Sequence, residues 1–175
     1  MRPKICCVPL LAPLLAALGL ALAAPPAGTA DAVAWLDWDE GMRQARASNR
    51  PILVDVYTNW CGWCKRMDRD VYARADVRDY LAGSFVTIKL NAESQARGTY
   101  EGRSLTSRAL ASRLGVRSYP TTLFLRPGGA RIVTVPGYVP ADRFLLLLRY
   151  IGDGHLDRGT PFEEFSARTK TAPGP

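Results

Sequence analysis

Between residues 36 and 151 short, mostly apolar runs alternate with longer stretches of mixed polarity, a pattern of strands separated by helices. Residues 39–48 follow Trp38 and stop at Asn49-Arg50-Pro51, which predicts a first helix with a proline-enforced end. Residues 51–57 (Pro-Ile-Leu-Val-Asp-Val-Tyr) are rich in strand formers and predict a strand buried on both faces. A helix is expected from Cys61 to about Tyr72, another over 76–81, and a second strand over 85–90. Residues 104–114 predict a helix stopped by Gly115, and 121–126 with 131–135 a hairpin about Pro127-Gly128-Gly129. Residues 140–151 predict a closing helix. Strands separated by helices early and a hairpin late imply an α/β fold with a central mixed sheet and helices on both faces.

The segment 91–104, containing Gly98, Tyr100 and Gly102, reads as a long surface loop, either decoration or an edge that selects a partner. Residues 153–175 read as a C-terminal extension with a linker, a short helix over 162–167 and a frayed end. The intervening domain is placed at 31–152.

The first thirty residues break the pattern. Arg2 and Lys4 precede a mostly apolar run from Ile5 to Ala24, and small and turn-forming residues follow, as in a secretory signal peptide. Cleavage after Ala23 or after Ala30 satisfies the small-x-small requirement, and 1–30 is taken as the signal segment. An uncleaved anchor is the alternative that some twenty apolar residues allow, but Pro9, Pro13 and the small-residue end favour cleavage. Cys6 and Cys7 stand before the apolar run, against a lipoprotein signal. The expected location is the periplasm or another exported compartment.

Composition fits one globular domain with an appendage: 175 residues, 47% apolar and 22% charged. Of 23 Lys and Arg, two belong to the first thirty residues, so the remainder sets 21 against 16 acids. These charges are interspersed, with no basic run interleaved with aromatics, which argues against nucleic-acid binding.

Once the signal is removed only two of four cysteines remain, Cys61 and Cys64. A bridge across two residues closes too small a loop to stabilise much by chain entropy, so the pair points to chemistry. A structural zinc site needs four ligands, and the only other candidate is the single His155. Haem attachment needs His after the second Cys, where Lys65 stands. Dithiol–disulfide exchange leads, and a two-thiolate soft-metal (copper) carrier or assembly factor is the alternative from a different class.

The segment Val54-Asp-Val-Tyr-Thr-Asn-Trp-Cys-Gly-Trp-Cys-Lys65 resembles the active-site strand, turn and helix of the thioredoxin superfamily, and the likeness runs from about Trp38 to Ile151. Independent marks are Asp55 six residues before Cys61, Lys89 within Val86-Thr-Ile-Lys-Leu-Asn91, Tyr119-Pro120-Thr121 before the hairpin, and Gly137 after it. Exported thioredoxin-like proteins similar to SoxW and to the C-terminal domain of DsbD are the nearest branch. The resemblance implies a thioredoxin fold, no cofactor or metal, protein disulfides as substrates, an upstream membrane thiol donor and a monomer.

A cysteine at the first turn of a helix receives unpaired N–H groups and the positive end of the helix dipole, which favours its thiolate. Cys61 is therefore the expected nucleophile and Cys64, one turn inside and less exposed, the resolving cysteine of a redox-active Cys61–Cys64 disulfide. By family position Asp55 accepts the Cys64 proton and Lys89 tunes its charge; each alone reads as a strand-end polar residue or a surface lysine. Trp60 and Trp63 read equally as packing residues or as a rim for the substrate. The resemblance makes Pro120 a cis proline beside the cysteines, where the backbone of Tyr119 pairs with an extended substrate segment. Tyr119 departs from the small or β-branched residues usual there. Gly62-Trp63 departs from the Gly-Pro of ordinary thioredoxin, so the redox potential does not transfer.

Overall fold

The computed structural model describes residues 32–171; the expected signal segment lies outside them. Six helices and six strands occur in the order α1 (Trp38–Ser48), β1 (Ile52–Tyr57), α2 (Gly62–Met67), α3 (Ala75–Ser84), β2 (Val86–Asn91), β3 (Arg97–Tyr100), β4 (Arg103–Thr106), α4 (Ser107–Arg113), β5 (Thr121–Leu125), β6 (Arg131–Pro136), α5 (Ala141–Gly152) and α6 (Phe162–Thr171). A π-helical turn, Asp68–Tyr72, continues α2.

The main sheet has the order β2-β1-β5-β6. β1 runs parallel to β2 and antiparallel to β5, which pairs antiparallel with β6, so the sheet is mixed as expected. Strand alternation sends side chains to opposite faces, and the core divides accordingly. Ile52, Val54, Val56, Ile88, Leu123 and Leu125 pack with Met42 and Ala45 of α1 and Leu110 and Ala111 of α4. Leu53 and Phe124 face the other way, onto Met67, Tyr72, Leu81, Phe144 and Leu148 from α2, the π turn, α3 and α5. Asp55 and Lys89 share this second face with Leu53, so a charged pair lies in a largely apolar layer.

Local signals set the helix ends. Asp37 caps α1 by accepting from Glu40 N–H at 2.9 Å, and Asn49 ends it in the left-handed region, φ 52°. Thr106 caps α4. The hairpin turn closes through Arg126 N–H to Ala130 C=O at 2.7 Å, with Gly129 at φ 94°.

The structure corrects the sequence reading in two places, at residues 91–104 and 162–167, and adds to it in another, before α1. Residues 91–104 are not a plain loop: they hold most of an antiparallel hairpin, β3–β4, that docks on α1. Trp38 Nε1 donates to Thr99 C=O at 2.9 Å and Asp39 accepts from Thr99 N–H at 2.7 Å. Because residues 103–106 belong to that hairpin, the helix expected from residue 104 starts at Ser107. Second, Leu36 bridges to Ile88 on the free edge of β2, and Thr87 Oγ1 donates to Ala34 C=O at 2.7 Å, which fixes the segment before α1 on the sheet. Third, the helix expected over 162–167 extends through Thr171 and packs on α5, with Phe165 buried and the rings of Phe162 and Phe165 at 5.2 and 5.5 Å from Tyr150.

Candidate active site

β1 delivers the chain to the site. After Tyr57 a tight turn places Cys61 N–H on Thr58 C=O at 3.2 Å, and Cys61 becomes the N-cap of α2. Its Sγ accepts from Cys64 N–H at 3.0 Å, so an amide that a helix start leaves unpaired is aimed at sulfur. That arrangement favours negative charge on Cys61 when the pair is reduced. Cys61 and Cys64 are joined by a disulfide (S–S 2.08 Å). Both residues are buried, at 4% and 3%, so the expected difference in exposure is absent in this oxidised form, where one bond holds both sulfurs beneath the same surface.

Strand register assembles the charged centre. Asp55 sits between Lys89 on β2 and Thr122 on β5. Lys89 Nζ lies 3.0 Å from Asp55 Oδ2 and also pairs with Asp68 from the π turn. Three rings surround the ammonium: Trp35 at 4.7 Å, Tyr57 at 5.3 Å and Tyr72 at 5.4 Å. A cation here has carboxylates on two sides and aromatic faces on others, an environment that keeps it charged.

Burial of Asp55 raises its pKa, and the opposing charge and hydrogen bond of Lys89 do not fully offset this. Burial lowers that of Lys89, but Asp55 and Asp68 together outweigh it, so the lysine holds its proton more tightly than usual. Tyr72, fully buried, is pushed well above its ordinary value by burial and by the nearby Asp55 charge. A carboxyl with a raised pKa is a stronger base than an ordinary aspartate, which suits the removal of a thiol proton.

Two aromatic pairs flank the disulfide at the surface. Trp60 and Trp63 are the only large apolar side chains exposed among the described residues, at 69% and 55%. Trp60 meets Tyr119 edge-on with centroids 6.0 Å apart. Trp63 lies 5.5 Å from Tyr138, with the Arg66 guanidinium over both rings at 5.2 and 5.3 Å. Glu93 steadies the first pair by accepting from Trp60 Nε1 at 3.0 Å and Asn59 N–H at 2.9 Å. The Tyr119–Pro120 peptide is cis, Pro120 is buried, and its carbonyl accepts from Gly137 N–H at 2.8 Å.

The fold thus brings Cys61, Cys64, Trp60, Trp63 and Tyr119 to one end of the sheet, with Asp55 and Lys89 paired on β1 and β2. Sequence reasoning missed Asp68, Trp35, Tyr72, Glu93 and Tyr138. Asp68 was within reach of it, because it stands four residues after Cys64 and so on the same helical face. His155, the one other metal-ligand type weighed, lies against Phe165 (4.4 Å) and Tyr150. No group of three or more His, Cys, Asp or Glu able to hold a metal occurs among the described residues.

Residues 38–152 match the family of thioredoxin-like domains. The thiol:disulfide interchange protein DsbD of Ralstonia nicotianae is 36% identical over 112 residues, which is 63% of this chain and 17% of that protein. A protein disulfide-isomerase of Gallus gallus is 36% identical over 116 residues, 66% of this chain and 19% of that protein. The chain therefore spans less than a fifth of either relative. Among solved structures, a thioredoxin-fold protein from Helicobacter pylori superposes with a TM-score of 0.63 at 22% identity, covering 82% of this chain and 91% of that one. A thioredoxin from Thermus thermophilus does so with a TM-score of 0.55 at 26% identity, covering 71% and 95%.

Proposed function

The chain belongs to the family of thioredoxin-like domains, and from that premise we propose that it is an exported thiol–disulfide oxidoreductase that reduces protein disulfides. The observation that carries this reading is the Cys61–Cys64 disulfide, with Cys61 Sγ at the cap of α2 and facing the Cys64 amide. In the reduced form the Cys61 thiolate attacks one sulfur of a substrate disulfide, forms a mixed disulfide and expels the other substrate sulfur as thiolate. Cys64 then gives up its proton and attacks Cys61 Sγ, which restores the internal disulfide and releases the second substrate thiolate. Two electrons pass to the substrate, and a membrane dithiol donor supplies two more by reducing the Cys61–Cys64 disulfide, itself becoming oxidised.

Asp55 is the proposed acceptor of the Cys64 proton, through water, because it is a buried carboxylate whose Oδ1 has no hydrogen-bond partner while Lys89 holds Oδ2. Lys89 limits the cost of ionising it. Trp60, Trp63 and Tyr119 form the proposed rim against which an extended polypeptide lies, with the backbone before Pro120 available for strand addition. Export rests on the pattern of residues 1–30, with 31–152 as the working domain and 153–175 as its extension. No helix among the described residues is long and apolar enough to cross a membrane.

Reduction of the interchain disulfides of insulin, driven by a small dithiol, tests the reading. The domain is expected to catalyse it, and Cys61→Ser to abolish it. Absent reductase activity together with tight, stoichiometric copper(I) uptake would replace this reading by the two-thiolate carrier.

A further inference from the structure

The Lys89–Asp55–Thr122 row crosses the sheet on the face that carries Leu53 and Phe124, against which Tyr72, the last residue of the π turn, packs. The ring of Tyr72 is set by packing alone: it meets Trp35 edge-on at 4.9 Å and Phe144 edge-on at 5.6 Å. A phenylalanine would fill that place equally well. The hydroxyl is therefore surplus to packing, and it is buried with no closed hydrogen bond, which is unfavourable unless it has a use. Oδ1 of Asp55 is in the same condition, because Lys89 engages Oδ2. The Tyr72 ring lies 5.4 Å from the Lys89 ammonium that holds Asp55 Oδ2, so the two unpartnered oxygens belong to one buried cluster, and the charge of Asp55 acts on the Tyr72 hydroxyl.

We propose that Tyr72 is a positioning residue for proton transfer at Asp55, its hydroxyl serving Oδ1 as a partner that changes direction with the proton. Toward the ionised carboxylate Tyr72 O–H donates. When Asp55 takes the Cys64 proton, Oδ1 becomes the O–H donor and the Tyr72 oxygen accepts, its own hydrogen turning away. Lys89 cannot do this, since an ammonium only donates. The consequence is a division of labour in which Lys89 fixes Oδ2 and the proton goes to Oδ1. The remaining charged group facing the pair is Asp68, held by Lys89, and Tyr57 lies over the same ammonium. Donation from Tyr72 favours the carboxylate, so its loss moves the titration of Asp55 upward.

The inference rests on Asp55 being the proton acceptor of the proposed function, and the test separates the two. Stopped-flow decay of the mixed disulfide with a peptide disulfide is followed against pH for the native protein, Tyr72→Phe and Asp55→Asn. Tyr72→Phe is expected to move the lower midpoint of the profile up by about one pH unit, hence about tenfold slower resolution below it, with the alkaline plateau unchanged. Coincident native and Tyr72→Phe profiles, with Asp55→Asn altered, would overturn the role of Tyr72 alone. An Asp55→Asn profile identical to the native one would instead remove Asp55 as acceptor. Carbon-13 titration of the Asp55 carboxyl in the oxidised native protein and in Tyr72→Phe reads the same contact by a second route. An unchanged Asp55 titration in Tyr72→Phe contradicts the proposal.

Discussion

The carboxylate of Glu93 holds Trp60 by its indole N–H at 3.0 Å and, through its other oxygen, the backbone N–H of Asn59 at 2.9 Å. Glu93 is itself fixed by Asn91, whose Oδ1 accepts from Glu93 N–H at 2.9 Å while its amide reaches Asn59 Oδ1 at 3.2 Å. The end of β2 thereby pins the turn that leads from β1 into Cys61.

Glu93→Ala removes both hydrogen bonds, of which the one to Trp60 bears on the rim, and is expected to lower kcat/KM for a protein disulfide by about three- to tenfold, the net range for one exposed hydrogen bond. A small aromatic disulfide, which does not use the rim, keeps its rate. Steady-state kinetics with both substrates check this; equal losses for both would show that Glu93 supports the cysteines and not the rim.

Asp55→Asn is expected to stabilise the oxidised protein at neutral pH. Because the folded pKa is raised above the unfolded value, the native state holds a proton that the unfolded state has lost, and stability falls as pH rises from about 4 toward the folded pKa. The amide has no such penalty. A tenfold difference in proton affinity between the folded and unfolded states corresponds to about 1.4 kcal/mol, or a few degrees in Tm. Thermal unfolding should show the variant ahead at pH 7 and the gap closing near pH 3; a native protein that is the more stable at pH 7 would contradict it.

Gly98→Ala is expected to destabilise by about 1–3 kcal/mol, the usual range for overpacking. A Cβ there would lie 2.7 Å from Trp38 Cδ1 and 3.0 Å from Cγ, and Trp38 is held by Thr99 C=O. Gly62→Ala, with nothing within 4 Å of its Cβ, serves as the near-neutral control in urea denaturation.

That contrast also shows what the sequence made legible. β1 could be read because Ile52, Leu53, Val54 and Val56 leave only Asp55 polar in a run buried on both faces. The role of Asp55, by contrast, came from the resemblance, through its place six residues before Cys61. The β3–β4 hairpin could not be read, because Arg97-Gly-Thr-Tyr and Arg103-Ser-Leu-Thr are half exposed, bury a glycine as their one fully buried residue, and carry no apolar alternation strong enough to announce strands. Its hold comes from Trp38 and Asp39, some sixty residues away in sequence. The cage about Lys89 was hidden for the same reason: Trp35 reaches it because the segment before α1 is held to β2 by Leu36 and by Thr87 Oγ1 on Ala34 C=O, too short a contact to leave a periodic trace.

The central claim is the division of roles between Cys61 and Cys64, and trapping of mixed disulfides measures it directly. Reduced Cys64→Ser and Cys61→Ser are each mixed with a peptide disulfide and the adducts mapped by mass spectrometry. Cys64→Ser is predicted to accumulate a stable adduct at Cys61, and Cys61→Ser to form none at a comparable rate. Adduct formation by Cys61→Ser as fast as by Cys64→Ser, or adducts mapped only to Cys64, would contradict the account.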